Sequence, residues 1–328
     1  MTISKNYGTA VKKILTKIIF AMLVVLCTSH YLHAEQSDEE DIRIYNTNKK
    51  RAKILIGEII ESKSSEDIQE TLQSMRNSIS AEIVISDDII PRYRSQFYAE
   101  IYDYLRKNKD LSTQNIKALW DILSEGIVND NVLYQKKKNI FYLSELITEN
   151  ANVQFSDAFI NNIENAFKNK SLHDRYMILL IVYSKSSIAD EVLQKYSKTS
   201  PKNLSKIFDS PEWAAKLIMA KNGDINYTNQ IITLSEAANE IERFSLLFND
   251  ISSVRNIEIT KYLQRYLISN ERLPQLKPQL PGELIASKAA VALSKMLVGF
   301  PLLDNYNNEN NLNACRKWMK EQKEYKFK

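Results

Sequence analysis

Ser210-Pro211-Glu212-Trp213-Ala214-Ala215-Lys216-Leu217-Ile218-Met219-Ala220-Lys221-Asn222-Gly223-Asp224 is the stretch whose reading decides the fold. Ser210 is a residue type whose side-chain oxygen caps a helix by accepting from a backbone N–H two or three residues on. Pro211 suits the first helical position, where an N–H would lack an intrahelical partner in any case. Asn222-Gly223 supplies the left-handed residue that closes many helices. Between these marks Trp213, Leu217 and Ala220 form an apolar stripe, so the spacing predicts one short helix over 211–221. Asp224 opens the next segment directly after the glycine, and brief connections make sequential helices antiparallel neighbours.

The same period recurs outward from this segment. It is carried by Ala237, Ile241, Phe244 and Phe248, by Ile259, Leu263 and Tyr266, by Ala286, Ala290, Leu293 and Leu297, and by Leu172, Tyr176, Leu179 and Tyr183. Helices are predicted over 46–62, 65–80, 89–108, 113–126, 131–149, 154–168, 171–185, 187–197, 211–221, 225–235, 237–249, 256–268, 283–298 and 310–323. Strand-like alternation is confined to short stretches such as Glu82–Ile85, expected as a loop or a helix end before a strand. Ser269–Pro281, with Pro274, Pro278 and Pro281, reads as a long surface connection rather than a domain boundary.

Composition narrows the function classes. The 328 residues include 6 glycines, 3 histidines and 2 cysteines. Gly8, Gly57, Gly126, Gly223, Gly282 and Gly299 lie too far apart for a dinucleotide fingerprint, a Walker A loop or a hydrolase elbow. Gly223 and Gly299 stand where helices stop, and Gly282 where one begins.

Residues 1–34 carry Lys5, Lys12, Lys13 and Lys17 without an acid, then the apolar run Ile18 to Cys27, then Leu32-His33-Ala34 ahead of polar residues. A basic region, an apolar region of about ten residues and a small residue at the cut make a secretory signal, with cleavage expected after Ala34. Val24-Val25-Leu26-Cys27 resembles a bacterial lipobox, from which Leu26 departs by not being small, so lipidation at Cys27 is the minor alternative. The whole chain has 44 basic and 40 acidic residues, a formal net charge of +4; removing the four signal lysines leaves 40 against 40. A neutral mature chain gives no electrostatic support for nucleic-acid binding. It keeps one cysteine, Cys315, and one histidine, His173, so no intrachain disulfide forms. Residues 35–44 read as a disordered acidic arm, and 45–328 as one α-helical domain.

Short antiparallel helices in series suggest an α-solenoid, each hairpin covering the apolar face of the next. Trp213 to Asp224 resembles the second-helix-to-turn segment of HEAT-like repeats, with an Ala-rich helix ending in a Gly-Asp turn. Ala286 to Pro301 repeats the Ala-rich helix with a Gly-Phe-Pro stop. Ala314-Cys315-Arg316-Lys317-Trp318 with Tyr325 resembles the Trp-containing final helix of exported bacterial HEAT-like proteins. The resemblance is clearest in residues 210–328, while 45–200 matches by period only. It implies an all-α HEAT/armadillo-like superhelical array acting as a binding scaffold, and it transfers no catalytic residue. An all-α globular bundle is the alternative.

Candidate chemistry is sparse. His173, between Ser171 and Asp174, reads as a surface histidine near a helix start, and alone it cannot build a multi-His zinc site. Cys315 reads as a buried structural thiol. Helical carboxylates such as Glu58, Glu61, Glu145 and Glu149 read as solvated faces. Lys136-Lys137-Lys138 and Arg92-Tyr93-Arg94 are the basic runs that would meet an anionic surface, though a solvated helix face is the simpler account. The 17 tyrosines, among them Tyr98, Tyr102 and Tyr262, fall mostly on helix stripes as core residues with a wet hydroxyl. Asn169-Lys170-Ser171, Asn203-Leu204-Ser205 and Asn226-Tyr227-Thr228 match the glycosylation sequon, which matters only in a eukaryotic exporter; the lipobox-like and HEAT-like features argue against one.

No catalytic, cofactor-binding or metal residue is therefore assigned. The expected protein is a non-catalytic scaffold of the cell envelope, periplasmic or secreted, with a protein partner, no nucleic acid, and membrane contact only through the export signal or Cys27. The alternative is an envelope enzyme of cell-wall-cleaving type, using Asp, Glu or Tyr from several helices. A lipid-facing accessory protein is a third reading.

Overall fold

A computed structural model describes residues 42–62, 64–88, 96–108, 114–149, 153–274, 282–302 and 308–328. Among them the chain is all-α, and β pairing is limited to two isolated bridges, Arg272 with Leu284 and Leu297 with Phe327. The helices of the stretch expected as one domain group into two compact units, Met1–Ile122 and Leu123–Lys328, with the division inside helix α4. The signal segment, the lipobox-like Cys27, Arg92-Tyr93-Arg94 and most of the Pro-rich connection lie outside the described residues.

The first unit contains α1 (42–61), α2 (Ser65–Asp88), α3 (Gln96–Lys107) and the start of α4 (Gln114–Asn129). Helix α1 begins inside the stretch expected as a disordered arm, so residues 42–44 are helical. Its buried stripe is Ala52, Leu55, Ile56 and Ile59; α2 contributes Ile68, Leu72, Met75 and Ile79, and α3 contributes Phe97, Ile101 and Leu105. Glu82–Ile85 is the continuing backbone of α2 and not a loop or a helix end. Its β-branched residues have strand propensity, which is weak against an unbroken helical hydrogen-bond ladder. The last carbonyls of α1 lack intrahelical partners. Asn115 supplies them, its Nδ2 donating to the carbonyls of Ile59 at 2.8 Å and of Ile60 and Ser62 at 3.1 Å.

The second unit runs through α5 (Leu133–Glu149), α6 (Asp157–Phe167), α7 (Arg175–Tyr183), α8 (Ala189–Ser197), α9 (Pro211–Lys221) and α10 (Ile225–Ala237). It continues with α11, a composite of Glu240–Glu242, a π turn Arg243–Leu247 and Phe248–Ile251. It ends with α12 (Ile257–Leu267), α13 (Ile285–Met296) and α14 (Glu309–Glu321). Caps set most of the starts. Ser156, Asp174, Ser210, Asp224, Asn256 and Asn308 each accept from backbone N–H groups of the first turn. Gly223, at φ +94°, closes α9 as the Asn-Gly pair predicts.

Alternate helices of this unit pack side by side. Contacts link α5 to α7, α7 to α9, α10 to α12 and α12 to α14. The first three pairs run parallel. The backbone N–H of Arg175 donates to the Asp209 carbonyl at 3.1 Å, which sets the starts of α7 and α9 together. On α12, Asn256, Tyr262 and Arg265 reach Thr228, Ser235 and Glu236 of α10 at 3.0, 2.9 and 3.0 Å, so the pairings climb together along both helices. On α7, Tyr176 meets Phe141 of α5 edge-on at 5.0 Å, and Asp174 feels the charge of Lys137. Helices α7 and α9 are enclosed; Trp213, Ala214, Ala215, Lys216, Leu217, Ile218 and Ala220 are all buried. Small residues on α9 admit neighbours on every side, which explains its alanines better than helix propensity does.

A candidate binding edge on helices five and seven

The basic run Lys136-Lys137-Lys138 lies in the first turns of α5 and is divided among three tasks. The Lys136 ammonium donates to the Val128 carbonyl at 2.8 Å and so satisfies an end group of α4. Lys138 is half-buried with its ammonium 5.6 Å from the Tyr142 ring centre, and burial holds its pKa below the usual lysine range. Lys137 is exposed.

Aromatic residues continue this edge. Tyr134 is 65% exposed, and Phe141 and Tyr142 are half-buried with ring centres 6.1 Å apart. Tyr176 and Tyr183 stand seven residues apart on α7, hence on one face, and burial raises both phenols. The Arg175 guanidinium lies 5.5 Å from the Tyr176 ring, but it is buried behind the edge and does not face a ligand there. Ring faces beside cations suit flat apolar groups and anions, and Tyr is favoured at interfaces.

The other sequence candidates are structural. His173 is not a surface residue but half-buried, stacked on Phe167 with ring centres 4.2 Å apart. Its Nε2 lies 2.6 Å from the Phe167 carbonyl, which can only accept, so that nitrogen carries the proton; Nδ1 accepts from the Tyr196 hydroxyl at 2.6 Å. Both ring nitrogens are therefore occupied. Cys315 is buried with Sγ 3.4 Å from the Pro301 carbonyl, and burial raises its thiol, the opposite of an activated nucleophile. Glu58 and Glu61 belong to α1, Glu145 and Glu149 to α5, and the two pairs fall in different units. Tyr98 and Tyr102 are buried on α3. Tyr262 is buried too, but its hydroxyl is dry, donating to Ser235 Oγ, and burial pushes the phenol upward. In two of the sequons the asparagine folds back on its own turn, Asn169 and Asn203 each accepting from the backbone N–H and hydroxyl two residues on.

A buried ionic cluster was not legible in the sequence. Arg175 meets Asp250 through two hydrogen bonds, Nη1 to Oδ2 at 2.7 Å and Nη2 to Oδ1 at 3.2 Å, with both side chains largely buried. Trp213 Nε1 donates to the same carboxylate at 2.9 Å, and the guanidinium stacks 3.8 Å from the Phe208 ring centre. Glu242 accepts from the Phe208 backbone N–H at 2.6 Å. These bonds tie the starts of α7 and α9 to α11 across 75 residues, a separation without local signal.

Among the described residues no group of three or more His, Cys, Asp or Glu is placed to hold a metal ion, and no helix is long and apolar enough to cross a membrane. Comparison with protein-family models, curated proteins and solved structures finds no significant match to this chain.

Proposed function

We propose that this chain is an exported, non-catalytic interaction scaffold of the cell envelope, in which the helices of Leu123–Lys328 stack as HEAT-like pairs of an α-solenoid and present the α5–α7 edge to a protein or extended ligand. The observation that carries this reading is the parallel contact of alternate helices in three pairs, α5 with α7, α7 with α9 and α10 with α12. Stacked hairpins lay the corresponding helices of successive pairs side by side and parallel, and the run α5, α7, α9 in series supports that arrangement. Exposed Tyr134 and Lys137, with the half-buried Lys138, Phe141, Tyr142, Tyr176 and Tyr183 beside them, supply the recognition chemistry.

The envelope-enzyme reading requires a carboxyl with a raised pKa set in a cleft beside a second catalytic group. Asp174 has the raised carboxyl, because burial disfavours its charge, yet its Oδ1 is engaged as the cap of α7, accepting from the N–H groups of Tyr176 and Met177 at 3.0 and 3.1 Å. That occupation favours the scaffold. Export rests on the signal-like segment 1–34, with mature chains beginning at Glu35.

A photo-reactive amino acid placed in turn at positions 134, 138 and 261 in producing cells tests the reading. Defined adducts from positions 134 and 138, with none from position 261 on α12, are the expected result. Equal adducts from all three, or none from 134 and 138, overturn the proposed edge. Intact-mass analysis of the exported fraction that finds residues 1–34 retained overturns the signal.

A further inference from the structure

Inside Met1–Ile122 a cleft of about 390 Å³ opens between α1 and α3. This is within the size range of small-molecule sites, roughly 300–1,000 Å³. Gly57 lines it from α1. A glycine inside a helix costs stability relative to alanine. Here neither backbone nor close packing asks for one, because Gly57 is absent from the positive-φ glycines and an added Cβ would meet nothing within 4 Å. What the missing side chain does is keep the wall of the cleft open.

Charge is arranged with equal asymmetry. Glu100 projects from α3 and is 8% exposed, with the ammonium groups of Lys49 and Lys53 at 3.5 and 3.8 Å. Those two lysines stand one turn apart on α1, and a single carboxylate balances only one of them. Lys107 and Asp103 on α3 add one charge of each sign, so the lining carries three cations and two anions. Ile56, Gly57 and the Tyr104 ring supply the apolar part.

We infer that this cleft binds a small organic anion, a carboxylate or phosphate on a flat apolar body, with the anionic oxygens held by Lys49 and Lys53 and the body lying over Gly57 against Tyr104. Glu100 is the positioning residue that gathers the two lysines on one side of the cleft. The site uses none of the residues of the α5–α7 edge, so it stands or falls separately from the scaffold reading.

Titration calorimetry of the full mature chain with phenylacetate, phenyl phosphate and benzylamine tests it. Phenylacetate or phenyl phosphate saturates one site with a dissociation constant of about 1 mM or tighter, and whichever is tighter identifies the head group. Benzylamine, the same body with opposite charge, binds at least tenfold more weakly. Gly57→Leu loses about tenfold in anion affinity while its urea midpoint equals or exceeds that of the parent, because leucine is the better helix former. Lys53→Gln, which leaves the wall open, also weakens both anions and spares benzylamine. Saturable binding of neither anion, benzylamine binding as tightly as the anions, or undiminished binding by Gly57→Leu overturns the inference.

Discussion

Arg175 and Asp250 carry the largest single-residue consequence in the second unit. Both sit largely out of water, and their mutual bonds, with the Trp213 indole and the Phe208 ring, replace part of the hydration they gave up, while Arg175 Nε is buried without a hydrogen-bond partner among the described residues. Removing one member leaves the other charge buried alone, so Arg175→Met is expected to cost about 3–5 kcal/mol in urea denaturation. Arg175→Met combined with Asp250→Leu is expected to cost less than the sum of the two single changes, since no orphan charge remains. An additive double mutant would show that the pair is not coupled. Cys315 makes a cheaper test of burial. A thiol reagent should label it only as the chain unfolds, and rapid labelling of the native protein would place it at the surface. Glu164 controls a pH dependence. Its Oε1 accepts from the Ser186 hydroxyl at 2.7 Å and from the Ser187 hydroxyl and N–H at 2.8 and 3.0 Å, and the Ser186 and Ser187 hydroxyls lead in lowering its pKa. The folded value lies below the unfolded one, so this stabilisation is present above the unfolded pKa of about 4.3 and is lost as pH falls through the folded value. The difference in urea midpoint between the parent and Glu164→Gln should shrink as pH falls from 6 toward 3; a constant difference would remove Glu164 from the acid limb. The identity of His173 and Cys315 was legible in the sequence, but their partners were not. Tyr196 and Pro301 reach them only after the helices have packed.

At the scale of helices, end signals were the most legible feature. Ser210 and Gly223 mark α9 in the sequence, and the helix runs Pro211–Lys221 between them, with Ser210 accepting from the Trp213 N–H at 3.1 Å. Each mark has its own expected cost. Ser210→Ala should lose about 1 kcal/mol by orphaning that N–H. Gly223→Ala should lose about 1 kcal/mol or somewhat more, because φ of +94° strains any residue with a Cβ. Thermal unfolding of the two variants checks both, and an unchanged midpoint for Gly223→Ala would mean that the turn relaxes. Signals failed where tertiary contact replaced local chemistry. α1 ends on Asn115 of a helix some fifty residues later, and no local pattern announces such a cap. Gly282 was read as the start of a helix, but it answers to a neighbour, since a Cβ there would strike the Leu273 carbonyl beside the Arg272–Leu284 bridge. The π turn in α11 likewise follows an apolar stripe that reads as ordinary α-helix.

Across the whole molecule, enclosure predicts the order of local opening. Hydrogen exchange should be slowest in α7 and α9, whose buried residues surround their axes, and faster in α14, where Leu312, Cys315 and Met319 make one buried stripe. A graded fall toward the end of the chain accords with stacked pairs, whereas one uniform cooperative rate through Leu123–Lys328 would favour the all-α bundle. The sequence by itself determined the helical class, the positions of most helices and the absence of the common glycine-based nucleotide and hydrolase motifs, because periodicity, caps and glycine content act over one or two turns of chain. Only the tertiary structure decided that α5 and α7, α7 and α9, and α10 and α12 run parallel, that a lysine run is split between a helix end, a ring and solvent, and that Gly57 faces a cleft beside two lysines and one carboxylate. Those outcomes depend on which faces meet across tens of residues, and a pattern of apolar spacing says that a face is buried without saying against what.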